Sequence, residues 1–480
     1  MIKFGTGGWR AIIGDEFTKK NLQILAKAMA KKIKAEGVEK QELCIGYDRR
    51  FLAKEAVKWI CEVLAWEEIP VCFVNRSSPT PLIMYYVMAH DLAYGMMVTA
   101  SHNPAVYNGV KVFTRGGRDA DKTQTNELEA YIAEVETEIS KGRILESIPY
   151  EQALEEGRVK EFNPLNEYLD NIIAAIHVDA VKTRGLRVAL DPMYGVSQTA
   201  LKTLLSITRC ELEMIHERHD TLFGGKLPAP NAQTLRTLQN YVLDRGCDIG
   251  IATDGDADRI GVIDDKGRFL HPNDILVLLY YYMVKYKGWK GPVVRNVATT
   301  HTLDKVAESF GETCYEVPVG FKYVSAKMDA VNAIIGGEPS GGLMVKGHIN
   351  GKDGVYAAML LVEMIAVTGK KLSQMTEELQ QLYGTIQVDE KDYTFTEEKK
   401  AWLGKILLEE KGLPEFTEAI ERVSYVDGCK VYFKNGGWIL ARFSGTEPLL
   451  RIFCEMPEPC KAVQQRKIFE RFLELQDEKE

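Results

Sequence analysis

Three aspartates, Asp254, Asp256 and Asp258, occupy alternate positions of the segment DGDADR (254–259). Carboxylates this close repel one another, so the cluster is costly unless a cation neutralises it. Oxygen ligands of this kind suit Mg²⁺ best, with Mn²⁺ or Ca²⁺ as alternatives. An EF-hand is excluded, because Arg259 and Asp265 stand where its loop requires Gly and Glu. The pattern predicts a divalent-metal site, with a solvated acidic turn as the alternative.

A serine and a lysine are the next candidates for chemistry. Ser101, in TASHNP (99–104), is a candidate nucleophile between a β-rich run and a turn containing proline. The alternative is a helix cap, since serine is common there and the G-x-S-x-G context is absent. His102 is adjacent in sequence, so we expect it to point elsewhere and not to serve as the base. Lys111, in YNGVKVF, is a candidate proton shuttle or phosphate contact, with a surface lysine as the alternative.

The segment RFSGTEPLLR (442–451) has the composition of an anion-binding loop. Arginine side chains, hydroxyl groups and the free backbone N–H groups beside glycine bind dianions well. It is not a Walker A loop, which requires G-x-x-x-x-G-K-[ST]. The candidate phosphate-binding residues are Arg442, Ser444, Gly445, Thr446 and Arg451.

Two other segments carry weaker signals. GTGGWR (5–10) combines glycines with Arg10, a common pattern. GEPSGG (337–342) offers Glu338 and Ser340, which can form hydrogen bonds to sugar hydroxyls. Taken alone, each of these segments is no more than a turn.

The elements that precede these segments are short apolar strands alternating with helices. LCIGYDRR (43–50) and DIGIATD (248–254) are apolar runs that end in polar residues, and YGMMVTA (94–100) is a further predicted strand. Open α/β sheets bind ligands at the carboxyl ends of their strands. We therefore expect three similar α/β domains with mainly parallel sheets, the alternative being one large sheet with insertions.

The C-terminal part of the chain differs in composition and in hydrophobic pattern. Residues 388–400 are polar and predict a linker or an edge strand, whereas 426–445 contain β-rich runs broken by Asn-Gly-Gly, which indicates a hairpin. These features predict a fourth, α+β domain. The expected domains are 1–155, 156–264, 265–380 and 381–480.

Composition excludes several classes of protein. The chain has 480 residues and a formal net charge of −8, which argues against nucleic acid as a partner. The longest apolar run, about 275–284, is shorter than the roughly 20 residues of a membrane span. The N-terminus has no secretory signal, and the nine cysteines include no C-x-x-C pair. We therefore expect a cytoplasmic protein with reduced thiols that does not bind membranes.

Together and in this order, the motifs resemble the α-D-phosphohexomutase superfamily, from FGTGGWR near the start to RFSGTEP near the end. The resemblance implies four domains around a central cleft, each contributing one loop. It further implies an enzyme that interconverts hexose 1-phosphates and hexose 6-phosphates, of glucose and/or mannose, through a phosphoserine and a hexose 1,6-bisphosphate. Glucose 1,6-bisphosphate is then the expected activator, hexose phosphates are the expected ligands, and we expect a monomer or homodimer.

The resemblance also implies roles for individual residues. Ser101 would be the phosphoserine and would bind one Mg²⁺ together with Asp254, Asp256 and Asp258. Glu338 and Ser340 would recognise the sugar, and the loop that contains Lys322 would help to distinguish its two orientations. Arg10, Lys111 and Arg259 would lie near the reacting phosphate. Arg442, Ser444, Gly445 and Thr446 would hold the other phosphate.

Two positions depart from the pattern of some dual-specificity members. Gly342 and Phe321 stand where those relatives have histidine. The identity of an auxiliary acid or base and the sugar preference are therefore open. The alternatives are a phosphoglucosamine mutase, a metal-dependent sugar-phosphate phosphatase and a non-catalytic sensor, the last disfavoured because Ser101 and the aspartates are present.

Overall fold

The computed structural model describes residues 2–5, 7–444, 449–458 and 460–475. In this part of the chain the strands form four sheets, which follow one another along the sequence. The first three combine parallel and antiparallel pairs and are flanked by helices, whereas the fourth is antiparallel throughout. The expected class of three α/β domains followed by an α+β domain is confirmed.

The first sheet has the strand order β1-β2-β6-β5-β3-β4-β8, and β7 pairs with β6. Its strands are β1 (Phe4–Gly5), β2 (Gly8–Ile12), β3 (Leu43–Tyr47), β4 (Val71–Val74), β5 (Tyr94–Val98), β6 (Tyr107–Thr114), β7 (Arg118–Asp119) and β8 (Val159–Phe162). The helices are α1 (Lys19–Ala35), α2 (Ala53–Trp66), α3 (Thr80–Ala89), α4 (Lys122–Ser140) and α5 (Tyr150–Glu155). Every residue of β3, β4 and β5 is buried, as expected for parallel strands covered on both faces.

The second sheet has the order β10-β9-β11-β12-β13. Its elements are α6 (Leu165–Ala175), α7 (Val178–Arg184), β9 (Arg187–Asp191), α8 (Ser197–Ile207), β10 (Glu211–Met214), α9 (Arg236–Arg245), β11 (Ile249–Thr253), β12 (Ile260–Ile263) and β13 (Phe269–Leu270). Because β12 runs antiparallel to β11, the chain reverses directly after β11. The reversal is the DGDADR segment, which places the three aspartates at the carboxyl end of a buried strand.

The third sheet has the order β15-β14-β16-β17. Its elements are α10 (Pro272–Lys285), β14 (Val293–Asn296), α11 (Thr302–Ser309), β15 (Cys314–Val317), α12 (Phe321–Val331), β16 (Ile335–Gly337), β17 (Leu343–Val345), α13 (Gly354–Thr368) and α14 (Leu372–Tyr383). The antiparallel pair β16–β17 repeats the arrangement of β11–β12. Its connection, residues 338–342, contains most of the GEPSGG segment.

The fourth sheet has the order β18-β22-β21-β20-β19. Its elements are β18 (Gln387–Thr394), α15 (Glu397–Gly404), a π-helical turn (Lys405–Glu409), β19 (Ile420–Ser424), β20 (Cys429–Phe433), β21 (Trp438–Phe443), β22 (Leu449–Met456) and α16 (Lys461–Phe472). The predicted hairpin is confirmed by pairing of β20 with β21 across Asn-Gly-Gly. Strand β18 lies at the edge of the sheet, in agreement with the interpretation of residues 388–400.

The sheets divide the chain slightly later than the expected boundaries. Strand β8 pairs with β4 of the first sheet, which therefore extends to Phe162 and not only to residue 155. Strand β13 extends the second sheet to Leu270, past residue 264. We propose domain boundaries after residues 162, 270 and 383.

Residues of the first three units meet in one apolar core, while the first unit has a further core of its own, as does the fourth. The shared core includes Tyr168, Leu204, Tyr280 and Met359, and α13 is buried along most of its length. The fourth unit joins the third through a small cluster that includes Trp438. Among the described helices, none combines the length and apolar composition needed to span a bilayer.

Candidate active site

Ser101 lies in the loop that joins β5 to β6, immediately beyond the carboxyl end of β5. It is buried and adopts a left-handed backbone conformation, with φ of +51°. The Ser101 amide donates to Thr99 Oγ1 at 2.8 Å, and the Ser101 hydroxyl donates to Asp254 Oδ2 at 2.7 Å. A left-handed conformation is uncommon for a residue with a side chain, so surrounding contacts must maintain it. The loop between β5 and β6 (residues 99–106, the serine loop) thus brings the Ser101 hydroxyl to the aspartates between β11 and β12 (residues 254–259, the metal loop).

Asp254, Asp256 and Asp258 are completely or almost completely buried, and one ligand oxygen of each lies within 4.8 Å of the others. Burial, followed by the carboxylates of Asp256 and Asp258, raises the pKa of Asp254 well above its usual range. The Oδ1 atoms of Asp256 and Asp258 are buried without a hydrogen-bond partner. Buried, unpaired carboxylate oxygens that converge on one point suit a divalent cation, so the donor set fits a metal ion.

The serine loop and the metal loop touch at Gly255. A Cβ atom at this position would lie 2.7 Å from the carbonyl oxygen of Ser101, which is closer than real Cβ atoms approach. Thr80, at the start of α3, adds two further contacts, because its amide donates to the Asp256 carbonyl at 2.9 Å and its hydroxyl to Asp256 Oδ2 at 2.6 Å. The contact between the two loops therefore depends on a glycine and on a threonine of the first domain.

Two lysines balance the acidic charge. Lys111, on β6, donates to Asp256 Oδ2 and to Asp258 Oδ2, both at 2.7 Å. Burial opposes its charge, but Asp256 and Asp258 raise the pKa of Lys111 above its ordinary value. Lys352, in the segment before α13, lies with Nζ 2.9 Å from Asp258 Oδ2. Both lysines use the Oδ2 atoms and leave the Oδ1 atoms free to bind a cation.

Arg10 and Arg259 both contact the segments that carry Ser101 and the aspartates. Arg10, on β2, donates to Asn103 Oδ1 in the serine loop. The amide of Arg259 donates to Asp254 Oδ1 at 3.1 Å, and its Nε lies 3.8 Å from Asp258 Oδ1. Both guanidinium groups are partly exposed, so they combine access to a ligand with proximity to the carboxylates.

His102 lies closer to the serine than its position in the sequence suggested. Its Nδ1 lies 3.3 Å from Ser101 Oγ. Arg259, burial and Arg10 hold the pKa of His102 well below its ordinary value, so the imidazole is neutral at neutral pH. The expectation that adjacency directs this ring elsewhere is wrong, because the left-handed conformation of Ser101 turns the chain between the two side chains.

The third domain presents Glu338 at the end of β16. Glu338 Oε1 accepts from Asn296 Nδ2 at 3.1 Å and from the amide of Gly320 at 3.0 Å. The following turn reaches the second domain, because the Ile260 amide donates to the Gly341 carbonyl at 3.1 Å. Ser340 is exposed on this turn. The sugar-loop candidates therefore lie next to the strand that follows the metal loop.

Lys322 lies in the first turn of α12, on the wall of a cavity. Its ammonium group lies 5.3 Å from the centre of the Tyr323 ring, and the residue lines a cavity of about 480 Å³ between the first and third domains. Phe321, also at this cavity, is buried, and its ring centre lies 5.7 Å from Lys352 Nζ. Two residues before Lys322, the amide of Gly320 donates to Glu338 Oε1, so the start of α12 connects this cavity wall to the Glu338 turn.

Gly342 explains how Lys352 reaches the metal loop. A Cβ atom at Gly342 would lie 2.3 Å from Cδ of Lys352. The lysine stem therefore fills the volume that a side chain at position 342 would occupy. Where some relatives carry histidine, this chain brings an ammonium group to Asp258 from another segment.

The fourth domain contributes Arg442 at the end of β21. Its Nε lies 2.9 Å from Asp427 Oδ2, which also accepts from the Val319 amide at 2.7 Å. Arg451 lies opposite Arg442 in the register of β21 and β22, is half-exposed and forms an ion pair with Asp392. The Ser444 amide donates to the Leu449 carbonyl at 2.7 Å. Gly445 and Thr446 lie outside the described residues.

Sequence reasoning missed several residues that organise the site. Asp48, Arg50, Thr80, Thr99 and Lys352 all contact the serine or metal loops. The polar end of LCIGYDRR was a signal for the first two, since it follows a buried strand. For Thr80 and Lys352 the sequence offered no spacing that related them to the aspartates.

Comparison with known proteins places the chain in a family. It matches the four domains described for phosphoglucomutase/phosphomannomutase: α/β/α domain I over residues 1–138, domain II over 166–267, domain III over 271–383 and the C-terminal domain over 396–471. The matched segments follow the same order as the four sheets.

Individual relatives match along nearly their whole length. A phosphoglucomutase/phosphomannomutase of Thermococcus kodakarensis is 30% identical, with 96% of this chain and 95% of the relative covered. A Methanosarcina barkeri protein assigned as a phosphoglucosamine mutase is 31% identical, with 95% and 96% covered. A crystal structure from Thermus thermophilus, assigned as a phosphomannomutase, has a TM-score of 0.85 at 28% identity, covering 98% of this chain and 99% of that one. The chain therefore belongs to the phosphoglucomutase/phosphomannomutase family of the α-D-phosphohexomutase superfamily and is a phosphohexomutase.

Proposed function

We propose that this enzyme interconverts the 1-phosphates and 6-phosphates of glucose and/or mannose, with Ser101 as the phosphoserine and a hexose 1,6-bisphosphate as the intermediate. The observation that carries the proposal is the Ser101 hydroxyl, buried and 2.7 Å from a carboxylate of the aspartate cluster. A nucleophile beside a cation site is the arrangement that phosphoryl transfer requires.

In the proposed reaction, phosphorylated Ser101 gives its phosphoryl group to a free hydroxyl of a hexose monophosphate. The bond from phosphorus to Ser101 Oγ breaks, a bond to the sugar oxygen forms, and the hydroxyl proton leaves to a basic group. After the bisphosphate reorients, Ser101 Oγ forms a bond to the other phosphorus, the bond from that phosphorus to the sugar oxygen breaks, and the sugar oxygen takes up a proton as the isomeric monophosphate leaves. His102 is placed to accept or return a proton beside Ser101, and the Lys111 ammonium group is placed to stabilise negative charge at the aspartates.

The proposed metal ligands are Asp254, Asp256, Asp258 and Ser101, and the proposed metal is one Mg²⁺. The Oδ1 atoms of Asp256 and Asp258 support this assignment, because they are buried and accept no hydrogen bond, although Arg259 Nε lies 3.8 Å from Asp258 Oδ1. When bound there, Mg²⁺ supplies positive charge to the transferring phosphoryl group. Arg10, Arg259, Lys111 and Lys352 would add positive charge around the same group.

The proposed substrate contacts come from the third and fourth domains. Glu338 and Ser340 would bind sugar hydroxyls. Lys322, which lines the neighbouring cavity, would help to distinguish the two orientations of the sugar. Arg442, Ser444, Gly445, Thr446 and Arg451 would bind the phosphate that does not react. Asp427 supports the joint action of the two domains, since it contacts both Arg442 and the backbone before α12.

The choice of glucose and mannose rests on the family and on the Thermococcus relative. A second candidate is a phosphoglucosamine mutase, because several relatives of 28–31% identity are assigned that activity. The phosphatase alternative is not favoured by any relative described above.

The test is an assay of purified enzyme with Mg²⁺ and a trace of glucose 1,6-bisphosphate. Glucose 1-phosphate, mannose 1-phosphate and glucosamine 1-phosphate are compared while inorganic phosphate is monitored. We expect a 6-phosphate to form from glucose or mannose without release of phosphate. Fastest turnover of the glucosamine ester would favour the second candidate, and phosphate release without isomerisation would overturn the mutase assignment.

A further inference from the structure

We propose that Arg50 is a positioning residue for the nucleophile: it holds the main chain of residues 101–107 so that Ser101 Oγ points at Asp254. The inference rests on the proposed function, because it concerns how Ser101 is presented for phosphoryl transfer. Arg50 follows β3 and has a completely buried side chain. It has no hydrogen bond to Ser101 Oγ or to the aspartates among the described contacts, so its effect passes through the backbone.

The guanidinium group of Arg50 donates to four carbonyl groups of this loop. Nη2 donates to Ser101 O at 2.7 Å and to Asn103 O at 2.6 Å, and Nη1 donates to Pro104 O at 2.8 Å and to Tyr107 O at 2.9 Å. Ser101, Asn103 and Pro104 lie between β5 and β6, where carbonyl groups have no strand partner and side-chain donors can satisfy them, and Tyr107 begins β6. One planar side chain therefore determines the path of the loop over seven residues.

The two peptide groups that flank Ser101 are both fixed by contacts that begin at Asp48 and Arg50. The peptide on the C-terminal side is fixed by the bond from Arg50 to Ser101 O. The peptide on the N-terminal side is fixed by Thr99 Oγ1, which accepts from the Ser101 amide at 2.8 Å and donates to Asp48 Oδ2 at 2.6 Å. Asp48 Oδ1 in turn accepts from the Arg50 amide at 2.9 Å. Asp48 and Arg50 thus maintain the left-handed conformation of Ser101, in which its hydroxyl points at Asp254.

The second domain covers the guanidinium group. The ring of Phe223 lies 4.9 Å from Arg50 Cζ, on the loop that precedes α9. The arginine therefore aligns the serine loop with the domain that supplies the metal ligands. A lysine cannot take over this role, because a single ammonium group cannot reach four carbonyl groups in one plane.

The neighbouring Arg49 provides a matched control. It also donates to carbonyl groups, at 3.0 Å to Glu217 O and at 3.4 Å to Tyr194 O and Arg218 O, but these belong to the second domain and none is a carbonyl group of residues 101–107. Loss of Arg49 removes contacts of similar chemistry between the same two domains. A purely structural role for Arg50 predicts that the two arginines behave alike.

The experiment compares Arg50→Lys, Arg49→Lys and Ser101→Ala in the full-length enzyme. It measures kcat, KM, the midpoint of thermal unfolding and the single-turnover rate at which phosphorylated enzyme transfers its phosphoryl group to glucose 1-phosphate. For Arg50→Lys we expect kcat and the transfer rate to fall by about tenfold to a hundredfold, as for misplaced reacting groups. KM should stay within about twofold, since the substrate contacts lie on other loops.

Wild-type kcat in Arg50→Lys would overturn the inference, as would an equal loss of kcat in Arg49→Lys. If Arg50→Lys does not fold, Thr99→Val tests the same idea, because it keeps the shape but removes the bond to the Ser101 amide. Thr99→Val is expected to lower the transfer rate with KM unchanged, and a wild-type rate would contradict the inference. Activity in Ser101→Ala would instead overturn the proposed function, whatever the arginine variants do.

Discussion

The hydroxyl of Ser101 donates a hydrogen bond of 2.7 Å to Oδ2 of Asp254, across 153 positions of sequence. The bond joins the carboxyl ends of β5 and β11, which belong to different sheets. It forms because both loops leave buried strands at the face where the first two domains meet, and because Gly255 permits the close approach. The nucleophile and the acidic cluster are therefore one site, built by the packing of two domains.

Replacing Ser101 by alanine should abolish mutase turnover while leaving the fold intact. The change removes the group that carries phosphate in the proposed relay, so activity should fall by at least about a thousandfold. The lost hydrogen bond to Asp254 should cost only about 1 kcal/mol of stability. The measurements are a coupled mutase assay and thermal unfolding. Ser309→Ala, at the end of α11, is the control and should keep full activity. Activity in Ser101→Ala would contradict the assignment of Ser101 as the residue that carries the phosphoryl group.

Asp256→Asn should weaken the dependence of activity on Mg²⁺. Amide and carboxyl groups have the same shape, but the change removes charge from an atom, Oδ1, that is buried without a partner. We expect the Mg²⁺ concentration for half-maximal activity to rise by about tenfold or more. Asp265→Asn is the control, since Asp265 bonds to Ser373 away from the cluster. An unchanged Mg²⁺ titration in Asp256→Asn would contradict the metal assignment.

Gly342→Ala should lower activity by displacing Lys352. The new methyl group would lie 2.3 Å from Cδ of the lysine, so the ammonium group must leave Asp258. If that displacement is the whole effect, the Gly342→Ala/Lys352→Ala double variant is no less active than Lys352→Ala alone. Kinetics of the four proteins form a double-mutant cycle, and we expect coupling of about 1 kcal/mol or more. Independent, additive losses would show that position 342 acts by another route.

Lys430 should make stability rise with pH above neutrality. Burial, followed by Arg295, lowers the pKa of Lys430 to about 7, although its Nζ lies 2.8 Å from Glu316 Oε2. The unfolded chain, in which lysine has a pKa near 10.4, therefore binds more protons between about pH 7 and pH 10. Stability contributed by this group increases across that window and is constant below it.

The measurement is urea unfolding of the wild type, Lys430→Met and Lys434→Met from pH 6 to pH 10. The unfolding free energy of the wild type minus that of Lys430→Met should increase with pH by up to about 1.4 kcal/mol per unit. Lys434 is exposed on the same hairpin, so its replacement controls for the loss of a surface lysine. A flat difference for Lys430→Met would show that its ammonium group is not destabilised by burial.

The sequence by itself determined the identity and order of the reactive loops. Apolar runs that end in polar residues predicted where β3 and β11 end, because strands covered on both faces must be apolar throughout. The spacing of Asp254, Asp256 and Asp258 predicted a cation site for an equally local reason, the mutual repulsion of nearby carboxylates. Local rules were sufficient where a pattern of neighbouring residues carries the signal by itself, as for the three aspartates.

Only the tertiary structure decided which distant groups complete the site. Thr80 meets Asp256, Lys352 fills the space left by Gly342, and Arg50 holds the carbonyl groups around Ser101. No periodicity relates these residues, because each contact depends on how separate sheets and helices pack. His102 shows the same limit at short range, since its position depends on a backbone conformation that burial and hydrogen bonds impose. Contacts between domains are set by shape and by the pairing of buried polar groups, and these arise only once the chain has folded.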